Sequence, residues 1–152
     1  MRLLYIADPP CSWCYGFGPE LAKLLARHPD ARLDLVMGGL RPFNRQTMTP
    51  EFKEMLRGHR RHVATASGLP FSYQRDTFRM NFDTDAMREE TQSDFATTKA
   101  LGVGGFPTLG TSHGEQLFLV TSGYVTDDVL EYRLREIDRL ARERAAAGKP
   151  GG

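Results

Sequence analysis

Two cysteines separated by two residues, Cys11-Ser12-Trp13-Cys14, sit where a short apolar run ends and a helical pattern begins. They are the chain's only cysteines. A bridge across so short a loop removes almost no conformational entropy from the unfolded chain. Stability must therefore come from a buried core, and the chemistry of the pair is local. Before it, Leu3-Leu4-Tyr5-Ile6-Ala7 has the composition of a buried strand, ended by Asp8-Pro9-Pro10. After it, Leu21, Leu24 and Leu25 recur at helical spacing until Arg27-His28-Pro29, where proline stops the helix.

The 152 residues suffice for one domain, expected over residues 1–144, with Ala145 to Gly152 as a disordered tail. Hydrophobic content of 40%, charged content of 26% and a net charge of +1 exclude a disordered tail protein, a collagen-like repeat and a basic nucleic-acid-coating module. No nucleic-acid partner is expected. No window approaches the roughly 18 apolar residues of a membrane span, so no membrane partner is expected either. The start, MRLLYIADPPC, has too few apolar residues before Asp8 for a secretory leader, and the expected location is cytoplasmic.

Leu33 to Met37 is a second apolar run, closed by Gly38-Gly39. Strand, helix and strand at this spacing predict a parallel βαβ unit with a right-handed crossover. Thr49-Pro50-Glu51 predicts a capped helix from about Pro50 to Ala66, ending at Gly68. Gly68 to Asp85 lacks periodicity and is expected to be an irregular connection. A further helix is expected from Ala86 to Leu101. Phe106 to Leu109 and Gln116 to Thr121 are expected strands, joined as an antiparallel hairpin through a turn-rich TSHGE. Thr126-Asp127-Asp128 then opens a final helix with an apolar stripe of Leu130, Leu134, Ile137 and Leu140. The result is an α/β domain with a central mixed sheet flanked by helices. The order βαβ, helix, ββα is that of a thioredoxin fold.

In that frame Cys11 opens a helix, where unpaired N–H groups and the dipole favour an anion. Such placement brings a thiol from about 8.5 to roughly 3.5–7.5. Cys14, about one turn on, can attack a mixed disulfide at Cys11 and release the substrate. Two other readings of the pair exist. Free cysteines are often plain buried hydrophobes. Zinc would need His59 and His62 as further ligands, and these lie much too far from Cys14 for a compact site, on a basic helical segment better read as a solvated face. No metal is expected. Arg57, Arg60 and Arg61 belong to the same solvated run. Pro107 is either a proline tolerated at the start of an edge strand or, in a thioredoxin-type arrangement, a cis-proline lying against the dithiol that leaves the Phe106 backbone to pair with an extended substrate. Asp8 is either a turn residue or a proton acceptor for Cys14. Trp13 and Tyr15 either pack or offer an apolar surface to a substrate peptide.

DPPCSWCYGFGPEL, the GLPF and NFDT segments, REETQSDFATTKALGVGGFPTL and SGY resemble the DsbA-family thioredoxin-fold oxidoreductases, most closely their leaderless, FrnE-like branch. The likeness runs from about Tyr5 to the final helix. It implies that Cys11 is the nucleophile, Cys14 the resolving thiol and Pro107 the cis-proline. Ser12 and Trp13 would tune thiolate stability, and Ser12, Trp13, Tyr15 and Phe106 would meet the substrate. It implies thiol–disulfide exchange with peptide or protein substrates and no cofactor beyond the dithiol. A glutathione-dependent isomerase or transferase, with glutathione as co-substrate, and a non-catalytic redox-sensitive binding module are the alternatives. Such proteins carry a helical insert between the halves of the fold, which here is expected to be shortened or absent near Asp85. Phe71, Phe78, Met80 and Phe82 would then be short of cover, and a homodimer is expected to bury them.

Overall fold

The computed structural model describes residues 1–42, 44–71 and 85–147, with side chains from 88 onward in the last segment. The elements are β1 (Arg2–Ala7), α1 (Ser12–Arg27), β2 (Arg32–Met37), α2 (Pro50–Ser67), α3 (Asp85–Ala100), β3 (Thr108–His113), β4 (Gln116–Ser122) and α4 (Asp127–Ala147). The sheet order is β2-β1-β3-β4. β1 pairs parallel to β2 and antiparallel to β3, which pairs antiparallel to β4. This is the expected thioredoxin-like mixed sheet.

Alternation along β1 decides where the core lies. Leu3 and Tyr5 point to one face, where Phe17, Leu21 and Leu24 of α1 meet Leu109, Val120, Leu130, Leu134 and Ile137. Leu3, Leu24, Leu109 and Leu130 have no exposed surface, each contributing about 2 kcal/mol of burial. A polar clasp joins the two helices on this face. The buried Glu20 carboxylate of α1 accepts from the Asp127 N–H at 2.9 Å and from Lys23 at 2.9 Å, capping α4 from another helix, while Arg27 pairs with Asp127.

Two helices separate β2 from β3, as the sequence leads one to expect. α3 packs against β2, and its Asp94 and Thr98 hold the last strand residue: the Met37 N–H donates to Asp94 at 2.9 Å and the Thr98 hydroxyl donates to the Met37 carbonyl at 3.0 Å. α2 packs against α1. Gly16 makes that approach close. A Cβ there would come within 2.9 Å of the fully buried Val63. Thr49 caps α2 by accepting from the Phe52 N–H, and Gly68 ends it at φ 71°.

The expected hairpin is present with different bounds. β3 begins at Thr108, after the proline, and continues through Gly110, Thr111, Ser112 and His113 into the stretch expected to turn. Thr111 is wholly buried and donates to the Arg2 carbonyl, so this polar sequence is held in the sheet by β1. The turn shrinks to Gly114-Glu115, with Gly114 at φ 60°. Ala145–Ala147, expected in the tail, continue α4. Residues 148–152 and the expected apolar patch at Phe78, Met80 and Phe82 lie outside the described residues.

Candidate functional site

Cys11 is the residue that caps α1. Its φ of −78° and ψ of 111° are extended, and its sulfur accepts from the Cys14 N–H at 3.4 Å. A thiolate there is held by backbone donors that the first helical turn leaves unpaired. Both cysteines are free thiols and buried, Cys11 7% and Cys14 8% exposed. Hydrogen bonding from the Cys14 thiol, aided by the Cys14 and Trp13 amides and opposed by burial, lowers the Cys11 thiol from 9.0 to about 7. The same pairing, with burial, pushes the Cys14 thiol far upward. The two sulfurs are therefore unequal. Cys11 is the ionisable one and Cys14 keeps its proton.

Asp8 brackets the pair. Its carbonyl accepts from the Cys11 N–H at 3.0 Å and its own N–H donates to the Cys14 sulfur at 3.5 Å. The carboxylate is 5% exposed. One oxygen accepts from the Leu40 N–H at 2.6 Å, and the other has no hydrogen-bond partner among the described residues. Its negative charge raises both thiols, a minor contribution in each case.

The opposite wall comes from the loop before β3. The Phe106–Pro107 peptide bond is cis, Pro107 is fully buried, and the Phe106 carbonyl accepts from the Cys11 thiol at 3.6 Å. The Phe106 ring lies on Gly38, where a Cβ would stand 2.3 Å from it. Gly38 thus lets the end of β2 and the proline loop close together, and its N–H donates to Ala7 at 2.7 Å.

The fold brings Cys11, Cys14, Phe106 and Pro107 together. Ser12 is the half-buried first residue of α1. Trp13 is half-buried and meets three rings: His59 and His62 of α2 edge-on, at 6.0 and 5.5 Å between centroids, and Tyr124 at 5.5 Å. Tyr15 is exposed. Its hydroxyl donates to the Pro70 carbonyl at 2.9 Å and its ring meets Phe71 at 4.9 Å. The solvated face expected for His59 and His62 is corrected to this extent: both are exposed, yet each places an edge against the tryptophan between the cysteines. Among the described residues, no three His, Cys, Asp or Glu side chains gather as a metal-binding group.

Gly38, His59, His62 and Tyr124 were not singled out by sequence as site residues. The Gly38-Gly39 pair at a strand end was a signal for close backbone approach. The histidine spacing of three placed both rings on one helical face, next to the apolar Val63.

No protein-family model and no curated protein matches the chain. Solved structures do. A candidate protein disulfide isomerase from Nitrosomonas europaea superposes with a TM-score of 0.80 at 20% identity, over 91% of this chain and 98% of that one. The cytosolic disulfide reductase DsbM from Pseudomonas aeruginosa gives 0.68 at 16%, over 92% and 98%, and has also been solved with glutathione. A probable DsbA oxidoreductase from Streptomyces coelicolor gives 0.61 at 16%, over 100% and 92%. The chain therefore carries the thioredoxin-like fold of the DsbA-like oxidoreductases.

Proposed function

We propose that the protein exchanges thiols and disulfides with peptide or protein substrates, with Cys11 attacking and Cys14 resolving. The observation that carries this reading is the position of the two sulfurs at the start of α1: Cys11 caps the helix and its sulfur accepts from the Cys14 N–H at 3.4 Å, an arrangement that lowers the Cys11 thiol and raises that of Cys14. The Cys11 thiolate attacks one sulfur of a substrate disulfide, forming a mixed disulfide and expelling the other sulfur as thiolate. Cys14 then gives up its proton and attacks Cys11. The Cys11–Cys14 bond forms, the second substrate sulfur leaves as thiolate, and both leaving thiolates take up protons. The substrate gains two electrons and the protein loses two, so no further carrier is needed. Run backwards, the same steps oxidise a dithiol substrate.

Phe106 and Pro107 form the wall on which an extended substrate lies, with the Phe106 carbonyl freed for it when the Cys11 thiol ionises and stops donating. Ser12, Trp13 and Tyr15 supply the rest of the contact surface. Glutathione as a small thiol partner is favoured by the DsbM neighbour, which was solved with it. The same neighbour is cytosolic, which supports a cytoplasmic location; among the described residues no helix is long and apolar enough to cross a membrane.

The test is trapping. With Cys14→Ser, a disulfide peptide should accumulate as a mixed disulfide on Cys11, visible by mass and released by reductant. If no adduct forms with the variant, and the intact dithiol does not reduce the peptide, the reading is wrong.

A further inference from the structure

Tyr5 lies in the interior strand β1, between Leu35 of β2 and Leu109 of β3. Its ring is held in the core, 5.7 Å from that of Phe17, and the residue is buried. Among the buried residues of that core cluster it alone ends in a polar atom. A phenylalanine would fill the same space, so packing accounts for the ring and leaves the oxygen to be explained. That oxygen reaches the first turn of α1. Its O–H donates to the Cys14 carbonyl at 3.3 Å, a bond longer than the usual ~2.8 Å between two oxygens. Burial, the charge that a Cys14 thiolate would carry and a hydrogen bond with the Cys14 side chain push the Tyr5 ionisation well upward. Tyr5 thus keeps its proton and can only donate.

Cys14 needs a donor. To attack Cys11, its sulfur has to become an anion in a nearly dry site, which is costly unless hydrogen bonds receive the charge. The Asp8 N–H donates to that sulfur at 3.5 Å, while the charge of the Asp8 carboxylate works against a second anion there. We propose that the Tyr5 hydroxyl is a catalytic donor for the resolving step, turning its O–H from the Cys14 carbonyl to the Cys14 sulfur as that sulfur becomes an anion and attacks Cys11. The inference rests on the exchange chemistry proposed above and assigns it a further residue. In the step, the Cys14 S–H bond breaks and its proton passes to solvent. The Cys11–Cys14 bond forms and the bond from Cys11 to the substrate breaks. The substrate sulfur leaves with the electron pair and takes up a proton from solvent. Tyr5 is neither oxidised nor deprotonated. Because its hydroxyl is held at Cys14, it acts on resolution and leaves the attack by Cys11 unaltered.

The test separates the two half-reactions. Tyr5→Phe removes the oxygen and keeps the ring against Phe17. Reduced protein is mixed with an excess of a disulfide peptide, quenched with acid at intervals and weighed, which reads the lifetime of the mixed disulfide on Cys11. Attack alone is read from adduct formation in Cys14→Ser, with and without Tyr5→Phe. The expected result is an adduct that lives about tenfold longer in Tyr5→Phe, equivalent to about 1.4 kcal/mol, with adduct formation unchanged. An unchanged lifetime would overturn the inference. So would an equal slowing of both steps in a variant that is folded by circular dichroism, the signature of a hydroxyl that only anchors α1. If Tyr5→Phe does not fold, 3-fluorotyrosine at position 5 decides the matter. It keeps the ring and supplies a more acidic O–H, so the adduct should resolve faster than in the parent, and resolution that is no faster would overturn the inference. A parent protein that forms no adduct and reduces no peptide removes the exchange reading itself, whereas normal resolution in Tyr5→Phe removes only the role of Tyr5.

Discussion

The Cys11 thiol lies 3.6 Å from the Phe106 carbonyl, a contact spanning 95 positions of sequence. It joins the start of α1 to the loop entering β3, elements that meet only because β1 pairs with β3. The Phe106 carbonyl is thus held for the sulfur by the sheet, and the Phe106 ring is held by Gly38 at the end of β2. Three separate stretches of chain fix the surroundings of one thiol.

Gly38→Ala tests that support. The added Cβ would overlap the Phe106 ring, which must move together with its backbone. Overpacking of this kind costs about 1–3 kcal/mol, and a lower denaturation midpoint is expected. The rate of Cys11 exchange with a model disulfide should fall as well. A variant as stable and as fast as the parent would show that the Phe106 position is not set by this contact.

Asp8→Asn keeps an oxygen for the Leu40 N–H but removes the charge near the sulfurs. Because that charge raises both thiols, its removal should lower the Cys11 pKa, with a smaller fraction of the thiol protonated at neutral pH. Thiolate absorbance against pH reads the shift directly. A rise in the Cys11 pKa would contradict the assigned electrostatics.

The reduced protein should have a pH window of extra stability. Cys11 ionises at about 7 in the fold against 9.0 as a free thiol, so between those values the unfolded chain binds more protons and stability rises with pH. The contribution is about 2–3 kcal/mol when complete and is lost as pH falls through 7. Above 9 it is opposed by Cys14, which stays protonated in the fold while its unfolded counterpart ionises. Urea denaturation of reduced and oxidised protein from pH 6 to 10 should show this window in the reduced form only.

Gly16→Ala should loosen α2 from α1, since the new Cβ would meet Val63 at 2.9 Å and Ser67 at 3.3 Å. Trp13 is the chain's only tryptophan, so its fluorescence reports the His59, His62 and Tyr124 contacts without interference. A changed emission spectrum is expected, along with a loss of about 1–3 kcal/mol of stability. An unchanged spectrum would mean that α2 is positioned by something other than the Gly16 contact.

Sequence was most informative where the physics is local. The strand before Asp8-Pro9-Pro10, the helix opening at the dithiol, and the α2 cap at Thr49 with its stop at Gly68 depend on neighbouring residues, and all appear close to the expected positions. The start of β3 was misplaced because Phe106 and Leu109 look alike as apolar residues. Only pairing with β1 shows that the strand begins after Pro107 and absorbs Thr111 and Ser112. The role of His59 and His62 was hidden for a similar reason. A charged helical face looks solvated until tertiary packing lays another helix's Trp13 against it.

The most direct measurement of the division of labour between the sulfurs is the pH dependence of alkylation in reduced protein, followed at each cysteine by mass. Modification of Cys11 should follow a single titration with its midpoint at about 7, while Cys14 stays unmodified throughout. A Cys11 midpoint at the ordinary thiol value of 9.0, or faster modification of Cys14 than of Cys11, would contradict the assignment of Cys11 as the nucleophile.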